Sequence, residues 1–218
     1  MSLEKKIILG FLISSFVIAI LAGSSYLSFI EIKKEIRYLE LSDTVRSKTL
    51  QLRRHEKNFL LYGDVKEVEQ VHVYLKDLKK ILSEGKAAYN SGKLLNLANR
   101  IEEYEQRFGR IELISHEFQK ELSVLKRSYS TRAEFFPMIE STFLEQPVVN
   151  AGFMKKIFSL KEDHSGIKNL RDLDTEIIAL RKDGEEILVL SKDLDKAARE
   201  KVDRTIGISQ TAALVLFP

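Results

Sequence analysis

Residues 7–30, "IILGFLISSFVIAILAGSSYLSFI", run for 24 positions without a charge. At 1.5 Å per residue such a helix is ~36 Å long, enough to cross the ~30 Å hydrocarbon layer of a bilayer. Lys5 and Lys6 precede the run and predict a cytoplasmic tail at 1–6, although Lys33, Lys34 and Arg37 follow it on the far side. The alternative is a cleaved signal peptide, with Ala22 and Ser24 as the small residues of a cleavage site. The run exceeds the ~7–15 residues of a signal core, which favours a retained span.

The other end carries a second apolar stretch, residues 206–218, "IGISQTAALVLFP". Its 13 uncharged residues are too few to span a bilayer. It reads as the start of a second membrane helix, cut off in mid-span, more than as a free apolar tail. Residues 31–205 then form a loop domain between two membrane segments, outside the cytoplasm if the N-terminus is inside. On this expectation the chain is the front piece of a longer protein.

Composition fits a folded helical chain. Charged residues make up 31% and hydrophobic ones 44%, with only three prolines, ten glycines and no sustained period-two alternation. The net charge of +3 is interspersed, with no basic block, so no nucleic acid is expected. The absence of cysteine excludes disulfides, thiolate zinc sites and a cysteine nucleophile. No cofactor is expected.

The first helix continues from the membrane segment to Tyr62, where Gly63 supplies a left-handed cap and Asp64 with Glu67 a capping box opening the second. The second helix carries Val68, Val71, Leu75, Leu78 and Leu82 at three–four spacing and ends at Asn90 to Gly92. A third carries Leu94, Leu97, Ile101, Tyr104, Phe108 and Ile111, then Phe118, Leu122 and Leu125. The pattern breaks over 129–165, which holds Pro137, Pro147, Gly152 and five of the twelve phenylalanines. The last helix has an unbroken seam, Leu170, Leu173, Ile177, Leu180, Gly184, Ile187, Ser191, Leu194 and Ala198. The expected fold is therefore all-α. A transmembrane helix leads into an elongated antiparallel four-helix bundle capped by short helices at 129–165, followed by the start of a second transmembrane helix.

Counting residues as height, the first helix rises from residue 31 and the last returns at 206. The count sets Arg53 and Arg54 level with His72, Val73, Arg110, Ile111 and Gly184, to about one turn. On the first helix two seams run side by side. Ile32, Ile36, Leu39, Asp43, Arg46, Leu50, Arg53, Lys57 and Leu60 form one, and Tyr38, Leu41, Val45, Leu52 and Phe59 the other. The first turns basic where the last helix shrinks to Gly184 and Ser191.

Two readings of "LRRHEKNFLLYGD" follow. In one, the cations lie on a solvated flank and pair with Glu56, Glu112, Glu185 and Glu186, each pair contributing little. In the other, Arg53, Arg54 and Lys57, with Arg46 and Arg110, form a basic layer that binds a small carboxylate between helices. Neighbours on a helix diverge by about 100°, so only one of Arg53 and Arg54 points inward, and the seam favours Arg53. An inward arginine waiting for an anion predicts that Arg53→Ala leaves the empty domain folded, even slightly more stable.

Other motifs carry less. "SHEFQKEL", residues 115–122, is similar to the phosphoacceptor box of sensor histidine kinases, but Glu121 stands where proline is usual and no nucleotide-binding glycine box exists. The four histidines form no i, i+4 pair, so no metal site is expected. The carboxylates are those of ordinary helix surfaces, and no active site is expected in these residues. The phenylalanines of 129–165 read as a small second core in preference to an aromatic ligand pocket.

The run "RRHEKNFLLYGD" resembles the R-R-x-E-K-[DN]-F-L-L-x-G-D signature of extracytoplasmic helical sensor domains in bacterial sensor histidine kinases and chemoreceptors. It is similar to the helical bimodular class and, more loosely, to four-helix-bundle sensors. Arg53, Arg54, Glu56, Lys57, Phe59, Leu60, Leu61, Gly63 and Asp64 match. The loop domain is short for a two-storey sensor of that class. The resemblance implies a homodimer in the bacterial inner membrane, with 31–205 periplasmic or extracellular. It also implies a small-molecule ligand, often an organic acid. A cytoplasmic transmitter, most simply that of a two-component histidine kinase, would address a response regulator; a chemoreceptor output or a non-sensing membrane-anchored scaffold are the alternatives. On the two-segment reading, alkaline phosphatase fused after residue 120 is expected to be active, and an inactive fusion would reverse the orientation.

Overall fold

The computed structural model describes residues 3–89 and 91–216. They form six α-helices: α1 (Leu3–Tyr62), α2 (Val65–Tyr89), α3 (Gly92–Ser128), α4 (Phe136–Thr142), α5 (Pro147–Phe158) and α6 (Ser165–Leu216). A 3₁₀ turn, Ser130–Phe135, precedes α4, and no strand occurs among the described residues. Met1, Ser2, Asn90, Phe217 and Pro218 lie outside the described residues. The extreme ends of the expected 1–6 tail and 206–218 segment, and Asn90 of the expected turn, lie there with them.

The chain divides into two compact units, Met1–Asp43 with Asp193–Pro218, and Thr44–Lys192. In the first unit, α1 supplies one helix long and apolar enough to cross a membrane, near the N-terminus. Its apolar side chains, among them Ile8, Phe11, Phe16 and Ile20, point outward and are exposed. A helix apolar all round with nothing packed on it suits a lipid environment. Further along, Glu35, Tyr38 and Ser42 of α1 are buried, as are Leu194, Ala198 and Val202 of α6. Lys201 Nζ lies 2.7 Å from the buried carboxylate of Glu35.

In the second unit α2 buries its expected stripe from Val71 to Leu82, with Val68 only half-buried, and α3 buries its own from Leu94 to Leu125. Every residue of the α6 seam within this unit, Leu170 to Ser191, is buried. Cross-helix polar contacts fix antiparallel registers. Lys48 meets Asp77 and His55 meets Glu67 between α1 and α2, while Lys79 meets Glu105 and His72 meets Glu112 between α2 and α3. Between α3 and α6, Arg107 Nε bonds Asp183 Oδ2 at 2.6 Å.

On α1 the expected seam of Tyr38, Val45, Leu52 and Phe59 is buried, whereas the one beside it is not, apart from Leu60. The buried positions are Val45, Thr49, Leu52, Glu56 and Phe59, continuing the three–four spacing of Glu35, Tyr38 and Ser42, with Leu60 buried beside them at the helix end. Ile36 and Leu50 of the other seam are exposed, and so are Asp43 and Lys57. The inward face is thus a single heptad stripe with polar residues at Ser42, Thr49 and Glu56. Ser42 and Thr49 satisfy their hydroxyls on the backbone carbonyls of Leu39 and Val45, so both can be buried inside the helix interface.

At the end of α1, Gly63 adopts φ 65° and its N–H bonds the Phe59 carbonyl at 2.8 Å, a left-handed C-terminal cap. Asp64 Oδ1 accepts the N–H of Lys66 at 2.9 Å. The expected capping box does not close, because Glu67 turns its carboxylate to α1. Its Oε2 lies 2.5 Å from His55 Nδ1, and its Oε1 accepts from Asn58 Nδ2 at 3.3 Å. The side chain of Leu144, from the α4–α5 connection, approaches to 3.8 Å of where a Cβ on Gly63 would lie. Phe136, Phe143 and Phe158 are buried; Phe136 stacks on Phe158 at 5.1 Å, and Phe143 meets Phe118 of α3 at 5.0 Å. That filled arrangement is a core. Gly63→Ala should cost about 1–2 kcal/mol of unfolding free energy in denaturant titration, since Leu144 is at ordinary contact distance and the loss is backbone strain.

Candidate functional site

Arg53 sits where a glycine on the neighbouring helix makes room. A Cβ on Gly184 of α6 would overlap Arg53 Nη1 and fall 2.5 Å from Cζ and 2.7 Å from Cδ, so a side chain at 184 would force this arginine to move. One turn further, Glu56 occupies a core position with its side chain 2% exposed, against 19% for that of Arg53. Glu56 Oε2 accepts a hydrogen bond from Arg53 Nη1 and another, at 2.6 Å, from the hydroxyl of Tyr104 on α3. Tyr104 and Phe108 are fully buried beside them.

Burial dominates the acid–base behaviour of this cluster. It pushes the Glu56 carboxyl above its ordinary range, and the charge of Arg53, the Tyr104 and Arg53 hydrogen bonds and the charge of Arg181 offset that only in part. Burial, followed by the neighbouring Glu56 charge, raises the Tyr104 phenol well above its usual value, so it stays a donor. The two shifts agree on a proton-rich cluster.

The cleft beside this cluster has a volume of ≈ 740 Å³. Arg53, Arg54 and Lys57 line it from α1 and Arg181 from α6, together with Glu56 and Glu185. Leu50, Leu60, Leu61 and Leu188 supply apolar walls. Arg53 points inward, whereas Arg54, Lys57 and Arg181 are exposed. Arg54, Lys57 and Arg181 make no salt bridge among the described residues.

The structure therefore brings together Arg53, Arg54 and Lys57 but leaves the other two expected residues elsewhere. Arg110 is about half exposed and its Nε bonds Glu176 Oε1 at 3.0 Å, on the α3–α6 flank. Arg46 is half-buried and does not line the cleft. Arg181 was not anticipated. The height count that sets Arg53 opposite Gly184 also sets Glu56 opposite residue 181, so its position was available. In the sequence Glu56 reads as a surface partner, because the polar Ser42 and Thr49 interrupt the three–four series of α1 to which it belongs. Among the described residues no His, Asp and Glu group could hold a metal ion.

Set against protein-family models, curated proteins and solved structures, the chain matches none. The geometry of the cleft carries the functional argument by itself.

The expectation that Arg53 waits for an anion is corrected by Glu56, which is that anion. Arg53→Ala strands a buried carboxylate and should lower stability by roughly 3–5 kcal/mol at neutral pH. Gly184→Ala should act the same way by displacing the guanidinium. A double-mutant cycle with Glu56→Gln would show it, since most of the Gly184→Ala cost should vanish when the carboxylate is gone. A raised folded-state value means that folding takes up a proton. The contribution of Glu56 is complete below its ordinary value of 4.5 and is lost as pH rises through the raised value. Unfolding measured from about pH 4 to 8 should accordingly fall less steeply with pH in Glu56→Gln than in the parent.

Proposed function

We propose that the chain is the sensing portion of a membrane signal-transduction receptor that binds a small carboxylate in the cleft between α1 and α6. The observation that supports this most is the gathering of Arg53, Arg54, Lys57 and Arg181 around one concavity, three of them without a salt bridge among the described residues. Guanidinium groups match a carboxylate in a bidentate way, and apolar walls beside them suit the carbon skeleton of an organic acid. The cleft joins the helix that carries the apolar span to the helix that closes the chain.

In this reading α1, α2, α3 and α6 form a four-helix bundle outside the cytoplasm, and residues 206–218 begin a second membrane crossing. The bundle is a homodimer in a bacterial inner membrane. Ligand favours one of two packings of α6 on α1, and the displacement reaches a cytoplasmic transmitter, most simply a histidine kinase that addresses a response regulator. A chemoreceptor output would use the same sensing step. The Arg53–Glu56 pair supports a second reading, a scaffold without ligand, because the inward arginine already has its counter-charge.

Thermal unfolding of the full chain in lipid nanodiscs, with acetate, succinate and citrate as probes, separates the two. A sensor should gain several degrees with at least one acid at saturation. Arg54→Ala and Arg181→Ala should abolish that gain while shifting the ligand-free midpoint little, as both side chains are exposed. No shift with any of the three acids would favour the scaffold.

A further inference from the structure

The cleft of the proposed sensor already contains a carboxylate. Glu56 lines it, and its Oε2 holds Arg53 on one side and Tyr104 on the other. Arg53 fills the space left by the missing side chain of Gly184, so the guanidinium can meet either the internal carboxylate or one arriving from the cleft. It cannot offer both the same pair of N–H groups. On the reading of the preceding subsection, we infer that Glu56 is an internal competitor for Arg53, and that a small carboxylate enters the cleft together with one proton, which neutralises Glu56.

The reason is electrostatic. Once Arg53 turns to an incoming anion, Glu56 keeps only the hydroxyl of Tyr104 and the more distant charge of Arg181. Those are the groups that act on it from α3 and α6. Helix α2 sends its Glu67 and Tyr74 to His55, on another face of α1. A carboxylate this deeply buried and without its cation is far costlier than a neutral acid, and it takes its proton from the solvent. In stoichiometric terms the cleft then takes up the acid, not its salt. Its occupancy depends on the concentrations of both anion and proton.

Isothermal titration calorimetry of the full chain in nanodiscs tests this, with acetate, succinate and citrate in two buffers of different ionisation heat at about pH 7. For any acid that binds, the heats should differ between buffers by an amount corresponding to uptake of close to one proton. The affinity should fall about tenfold per pH unit on the alkaline side. Glu56→Gln should give heats independent of the buffer and an affinity flat with pH, about tenfold or more tighter than the parent near pH 8. Gly184→Ala leaves the acid in place but displaces Arg53 beforehand, and should also lose the proton uptake; it serves if Glu56→Gln does not fold. Binding by the parent with buffer-independent heats would overturn the inference and leave the anion cleft standing. Proton uptake that persists in Glu56→Gln would assign the proton elsewhere and overturn it equally. No binding of any of the three acids, by parent or variants, would remove the anion cleft and the inference together.

Discussion

A carboxylate held at a core position organises this protein's second unit. Ionised Glu56 in a protein interior is tolerated only with a cation and a donor at hand, and both come from precise local packing. Arg53 reaches it because Gly184 has no side chain, and Tyr104 reaches it because α3 sets that residue in the same layer. Three helices are thereby tied at one level. The hydrophobic stripes of α2, α3 and α6 supply the bulk of the burial, but they could slip by a turn and still meet apolar neighbours. The Arg53, Glu56 and Tyr104 contacts cannot. A buried polar layer of this kind fixes register more than it adds stability.

The same layer gives the cleft its character. With Arg53 engaged inward, the cations that face open space are Arg54, Lys57 and Arg181. They lie on the helix that carries the membrane-length apolar segment and on the helix that ends the chain. An anion there would act on the contact between those two helices. The phenylalanine-rich segment after α3 is packed as a core, with Phe136 buried against Phe158 and Phe143 against Phe118 of α3.

Much of the helical layout was legible in the sequence because apolar residues recur at three–four spacing. The α6 seam from Leu170 to Ser191 and the α3 stripe from Leu94 to Leu125 are buried as their periodicity predicts. The break after Ser128 and the left-handed Gly63 follow from turn chemistry that is local in sequence. Helix α1 was harder. Ser42, Thr49 and Glu56 sit at core positions, and a search for apolar residues skips all three, so the buried stripe through Tyr38, Val45, Leu52 and Phe59 showed gaps and the row beside it looked equally good. What the sequence could not display was the choice among partners. Glu67 could close a capping box or bind His55, and Arg110 could face the cleft or Glu176; side chains from other helices decide both.

Gly184 also constrains how the protein can change over time. Any lineage that acquires a side chain at that position while Glu56 remains would pass through a chain whose buried carboxyl group has lost its guanidinium. The permissive order is the reverse: the acid must be replaced first, after which Arg53 can move outward and position 184 can accept alanine or serine. Residues 53 and 56, and residue 184 far from them in the sequence, should therefore change together. Chains that have lost the glycine should have lost the glutamate as well.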